Sequence, residues 1–179
     1  VTTYRESYEG ETIERAAETL LQDNIGDALD AVEARWVSID ALTLAEPANW
    51  GRGYRAFMLE LPSTYYPYVL TIVERFEPEG QAGRRSAQNA AYQLVYTAWV
   101  VADTEADVVD IAHRYGEAIV DVLQDSPEIA GRMQRNQKPA VRIYADNVVH
   151  LKAGVSGDAQ STDDVDYLRM VEITQFLED

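Results

Sequence analysis

The chain has 179 residues and no cysteine. Disulfides, zinc–thiolate centres, iron–sulfur clusters and cysteine nucleophiles are therefore excluded. A reducing interior suits such a chain but is not required by it. Lysine is almost absent as well: Lys138 and Lys152 are the only two, and the other basic residues are arginines. The histidines are His113 and His150. Neither has a second nitrogen ligand at helical or hairpin spacing, and HExxH is missing, so both read as surface or packing residues. GxSxG is missing too, which removes the nucleophile elbow. The GRG at Gly51–Gly53 lacks a following GK[ST] and reads as a turn, not a phosphate loop. Long apolar runs do not occur. The longest uncharged stretch, Ser86–Ala102, holds Gln88, Asn89 and Gln93, and suits a strand better than a membrane span. The opening residues, VTTYRESYEGETIER, are strewn with charge and lack the apolar core of a secretory leader.

What the chain does have is acid. It carries 31 acidic residues against 15 basic ones, for a formal net charge of −16. That sign argues against a phosphate-binding surface and against docking on anionic lipid. An acid-rich, lysine-poor composition suits a high-salt cytoplasm, where repulsion between carboxylates is screened. The plainer account is a GC-rich genome and an ordinary acidic protein. Asp158, Asp163, Asp164 and Asp166 offer oxygen ligands, but the D-x-[DN]-x-[DN]-G spacing of a calcium loop is missing, so they read as a solvated hairpin tip. Asp23, Asp27 and Asp30 recur at helical spacing and read as a solvated helix face. Neither a metal nor a cofactor is expected.

The hydrophobic pattern divides the chain into elements. Ile13, Ala16, Ala17, Leu20, Leu21, Ile25, Ala28, Leu29, Val32 and Trp36 form one stripe, which predicts a helix over Thr12–Trp36 capped by Thr12. Asn24 and Gly26 interrupt it, where the helix kinks or divides in two. Residues 37–67 hold Pro47, Gly51, Gly53, Pro62 and Pro67. They read as an irregular crossing with a short strand at Tyr54–Leu59. The aromatic run at Thr64–Tyr68 (TYYPY) reads as core. Tyr68–Phe76 and Ala90–Ala102 alternate as strands and pair as antiparallel neighbours across a mobile loop, EPEGQAGRRS.

The second of these strands is apolar on both faces. Val95, Thr97, Trp99 and Val101 share one face, with Tyr96, Ala98, Val100 and Ala102 on the other, so the strand sits inside a sheet. Trp99 and Val101 are expected to pack against the second helix through Ile111, Tyr115 and Ile119, or against the first through Leu20, Leu21 and Val32. The second helix spans Glu105–Leu123. Thr104 or Asp103 caps it, and Glu105 and Asp107 lie where the helix dipole favours anions. Pro127–Gln137 reads as a short helix. Val141–Tyr144, Val148–Val155 and Tyr167–Leu177 read as strands, the last two separated by a polar loop at 157–166. The order α-β-β-α-β-β predicts an α+β fold: a small, mostly antiparallel sheet with two main helices packed on it, in one domain over residues 1–179.

The outline carries a resemblance. A stripe helix leads through a Pro-rich crossing to YYPYVLTIVERFEPEG, with Pro67 opening the strand. Next comes AYQLVYTAWVVADTEADVVDIAHRYGEAIVDVL, an apolar strand running through T-x-x-D into a helix that holds Tyr115 and Ala118-Ile119. Over roughly residues 10–125 this pattern resembles the tail terminator proteins (tail completion, head–tail joining) of long-tailed phages and tailed archaeal viruses. The resemblance implies a virion structural protein, not an enzyme. It implies a homo-oligomeric ring, usually a hexamer, on the head-proximal end of the tail tube. The implied partners are further copies of the chain, the tail tube protein and the head connector or stopper protein. DNA would pass through without specific binding, no membrane would be involved, and assembly would take place in the host cytoplasm. A different neck component, stopper or adaptor, is the alternative within that class. From another class, the alternative is a small acidic α+β enzyme or ligand-binding module. Arg84-Arg85, the only adjacent basic pair, form a positive tip on a negative molecule and are expected at a subunit or tube interface.

Overall fold

The computed structural model describes residues 2–52, 61–76, 91–134, 139–145, 147–151 and 165–178. The fold is α+β. Helix α1 spans Thr2–Trp36 and α2 spans Glu105–Asp125. The strands are β1 (Asn49–Arg52), β2 (Tyr68–Phe76), β3 (Ala91–Ala102), β4 (Glu128–Ile129), β5 (Arg132–Gln134), β6 (Ala140–Ile143), β7 (Val148–Leu151) and β8 (Val165–Glu178). Three long antiparallel strands, β2, β3 and β8, make the body of the sheet. Strand β1 adds in parallel beside β2, pairing Asn49–Arg52 with Tyr68–Thr71. On its other side β8 is met in turn by β7, β6 and β5, each antiparallel.

Both helices lie on one face of the sheet. The main core joins Ile13, Ala17, Leu21, Ile25, Leu29 and Val32 of α1 to Val108, Ile111, Tyr115, Ile119 and Leu123 of α2. Under them lie Tyr92, Leu94, Tyr96, Ala98 and Val100 of β3 with Val171, Ile173 and Leu177 of β8. The interior position of β3 and its antiparallel pairing with β2 agree with its two apolar faces. The facing does not agree: Trp99 and Val101 turn away from both helices and pack with Tyr66, Tyr68, Leu70 and Leu168 on the opposite side. A strand apolar on both faces has no internal signal for which face the helices take, and here the even-numbered residues took them. Tyr96 shows the consequence, since its buried hydroxyl donates to the Ala17 carbonyl of α1 at 2.8 Å.

Helix starts and stops differ in instructive ways. Thr104 caps α2, its hydroxyl accepting from the Asp107 amide at 3.1 Å. Thr12 caps nothing, because α1 is already helical from Thr2. Charged residues such as Glu11 and Arg15, paired one turn apart at 2.7 Å, extend a helix beyond its apolar stripe. The helix also runs unbroken through Asn24 and Gly26, with Ile25 and Leu29 buried on either side. Packing on the sheet outweighs the propensity cost of about 1 kcal/mol for one glycine.

The short helix expected at Pro127–Gln137 is a hairpin instead, with β4 paired to β5 across Ala130-Gly131. Both loop residues have positive φ, 52° and 78°, as a two-residue type I′ turn demands. Alanine is a poor marker for that turn, so the local sequence does not reveal it. Gln134 then donates to the Leu123 carbonyl at 2.8 Å and ties the hairpin to the end of α2. Ala130→Asn should relieve the left-handed strain and raise unfolding free energy by about 0.5–1 kcal/mol. Urea denaturation checks this, and an unchanged or lower midpoint counts against the turn.

The crossing also holds a strand, but at Asn49–Arg52, so Gly51 and Arg52 lie in β1 and not in a turn. A Cβ at Gly51 would stand 2.5 Å from the Tyr68 hydroxyl and 2.9 Å from the Leu70 side chain, so a larger residue there would have to displace both. The strand expected at Tyr54–Leu59 lies outside the described residues. The remaining expectations shift only at their ends: Val141–Tyr144 becomes β6, Val148–Val155 is described to Leu151, and Tyr167–Leu177 lengthens to β8.

Candidate functional site

Among the described residues the sheet ends on one side in β1, which pairs only with β2, and on the other in β7, β6 and β4; β6 and β7 pair only with β8, and β4 only with β5. At the first edge α1 runs close alongside. The Val73 amide, two residues beyond the last β1 pairing, donates to Glu14 Oε1 at 3.3 Å. Arg52 of β1 reaches Glu18 of α1 at 3.0 Å. Burial pushes the Glu14 carboxyl above its usual range. Among the described residues the second edge is unpaired on its outer side and partly apolar: Val141 is 47% exposed and Val149 57%. Arg142 lies beside them with its guanidinium over the Tyr144 ring, 4.5 Å from the centroid. Exposed edges offer unpaired backbone groups to another strand.

A second construction fastens the helices to each other. Arg114 of α2 is only 4% exposed. It forms a two-point ion pair with Asp40, with Nη1 to Oδ1 at 2.7 Å. Its guanidinium also lies 5.2 Å from the Trp36 ring centroid. Trp36 donates through Nε1 to Glu117 at 3.1 Å, and Arg35 pairs with Glu117 at 2.6 Å and with Asp121. The Arg114 guanidinium holds the Asp40 carboxyl below the usual carboxylate range. Tyr115 donates to the Ala45 carbonyl and the Leu44 amide to Glu33. The segment after α1 is thereby bound down on both helices. The sequence carried one signal for this: Arg114 interrupts the apolar stripe of α2, where an unpaired charge would be costly.

Below the clamp a groove of about 690 Å³ opens between the helices. Asp27, Ala28 and Ala31 line it from α1, and Asp121, Val122 and Asp125 from α2. Of the three α1 acids singled out in the sequence, Asp27 reaches this groove, while Asp23, Asp27 and Asp30 are all exposed. Among the described residues no group of three His, Cys, Asp or Glu side chains is placed to hold a metal. Also among them, no helix is long and apolar enough to cross a membrane.

The other sequence candidates scatter. His113 is exposed on α2, and His150 lies on β7 opposite Asp166. Asp166 is buried in β8, whereas Asp158, Asp163 and Asp164 lie outside the described residues. So do Arg84 and Arg85. Of the aromatic run, Tyr66 is buried and Tyr65 exposed. No protein-family model matches the chain, and no curated protein matches it in sequence.

Proposed function

We propose that this chain is a tail terminator: a virion structural protein that forms a ring on the head-proximal end of the tail tube, ends tube polymerisation and offers the surface that joins tail to capsid. The observation that carries the reading is that, among the described residues, the sheet keeps unpaired strand edges at both ends, β1 on one side and β6 and β7 on the other. Two different edges on one subunit make a head-to-tail contact, and such contacts close into rings when the rotation permits. The outline of elements supports the same reading, since it resembles that family from the first helix through the second. The net charge of −16 also suits a DNA-conducting channel, because like charge discourages sticking to phosphate. Copies of the chain, the tail tube protein and the head connector or stopper are the partners on this reading.

Reconstruction of the virion tests it. The expected result is a single six-fold ring of this chain at the head–tail junction. One copy per particle, or none at the junction, overturns it. The groove between α1 and α2 favours the second reading, a ligand-binding module. A small molecule ordered among Asp27, Asp121 and Asp125 would support that instead.

A further inference from the structure

The two edges match each other in three independent respects. The first is the direction of their backbone groups. Tyr144 donates its amide to the Met170 carbonyl at 3.0 Å, so Tyr144, Arg142 and Ala140 face β8. Val141 and Ile143 therefore point their amides and carbonyls outward. On β1 the Pro67 carbonyl beside β2 accepts from the Ala48 amide at 2.8 Å and from the Asn49 amide at 3.4 Å; with Asn49 in register with Tyr68 the second is the ladder bond, so Asn49 and Gly51 face inward. Trp50 and Arg52 point theirs outward.

The second respect is the side-chain faces. Trp50 and Ile143 both pack on the helix side of their strands, and Val141, in register with Ile173, shares that side. Gly51 and Arg142 both face the other way, in register with Leu70 and Glu172. The third is strand direction. Strand β1 runs with β2, β2 against β3, β3 against β8, and β8 against β6. Strands β1 and β6 thus run oppositely within one subunit. Rotation about an axis along the strands preserves this, so neighbouring edges meet antiparallel.

We propose that β6 of one copy pairs with β1 of the next, Trp50 opposite Ile143 and Arg52 opposite Val141. This rests on the ring reading above and names the seam. The pairing sets Arg142 against Gly51, which has no side chain of its own; the Tyr68 hydroxyl occupies that place instead. It also covers the exposed Val141 with the flank of Trp50. The occupant is a second copy in head-to-tail order, because the two-fold alternatives are poorer. Joining β6 to β6 through both outward residues sets Arg142 against Arg142, and like charges directly opposite are destabilising. Joining β1 to β1 brings the Glu14 carboxyls of both copies to one seam, Glu18 being already paired with Arg52.

The chain has no cysteine, so introduced thiols are the only ones present. In the proposed register Arg52 and Val141 have Cα atoms about 5.5 Å apart, within disulfide range. Under mild oxidation R52C/V141C should give a ladder of covalent multimers ending at the ring, while R52C and V141C alone give no covalent multimers. Val141→Pro removes an outward amide and leaves the β8 pairing intact. It should abolish multimers in native mass spectrometry with the far-ultraviolet circular dichroism unchanged. Covalent dimers from either single variant mean a two-fold seam and overturn the proposal. A wild-type ring that persists in Val141→Pro, with no ladder, overturns the seam and leaves the ring reading standing. A wild type that stays monomeric at every concentration, with no ladder, overturns the seam and counts against the ring reading too. A ladder without an end, with filaments, supports the seam and overturns the closed ring.

Discussion

Ile119→Ala is expected to lower the unfolding free energy by about 2–5 kcal/mol. Ile119 has no exposed surface and lies in the middle of the main core. Removing most of its side chain costs the transfer energy of the lost methyl groups and leaves a cavity. The cavity cannot close easily, because α2 is fixed at both ends. Thr104 caps its start, Gln134 ties its finish, and Arg114 pins its middle to Asp40. Equilibrium denaturation in urea measures the change. A loss under about 0.5 kcal/mol would place Ile119 on the wrong face of the helix. Val101→Ala is the matched control, since Val101 is half-buried on the other side of the sheet and should cost less.

Asp40→Asn should destabilise the protein strongly at neutral pH, and more than Arg114→Met does. Asparagine leaves the buried guanidinium without its counter-charge, whereas methionine removes the charge and keeps much of the packing under Trp36. The effect has a definite pH dependence. Arg114 depresses the Asp40 pKa in the folded state, so the carboxylate contributes stability in full above the unfolded value of about 3.9. That contribution shrinks as pH falls below it and is gone once the pH has passed the folded value. Thermal melts of wild type and Asp40→Asn should therefore differ most above about pH 4 and converge at lower pH. Curves separated by the same gap from neutral to strongly acid pH would show that the ion pair contributes nothing.

The elements that sequence reasoning found were those with a long period and a buried face. The stripe from Ile13 to Trp36 and that from Val108 to Val122 gave both helices. The two-sided apolar run from Tyr92 to Ala102 gave the interior strand. What it missed was specified by contacts remote in sequence. The strand at Asn49–Arg52 is polar and short, and it exists because Gly51 lets the Tyr68 side chain lie across it. The hairpin after α2 turns on an alanine in a conformation that alanine rarely adopts. The choice of face for Trp99 is settled by which side the helices occupy. The candidate seam was legible only as a general expectation of free edges. Assigning it to Trp50, Arg52, Val141 and Ile143 required the hydrogen-bond phase of each strand. No local pattern could have paired Arg114 with Asp40, though a charge set among apolar helix positions was a fair warning of some partner.

Strand β8 comes after every other element in the chain, yet it joins most of the sheet together. It pairs with β3 from Tyr92↔Leu177 to Ala102↔Tyr167, and with β5, β6 and β7 on its other flank. Until it arrives, among the described strands β3 has a bare inner edge, β6 and β7 have nothing to pair with, and β5 has only β4. A chain emerging from the ribosome can form α1, α2 and the β2–β3 hairpin, but it cannot close the sheet over them. Folding is therefore completed after synthesis of this strand, through contacts between distant parts of the sequence, which slows it. The bare edges of the incomplete sheet are then open to other nascent copies.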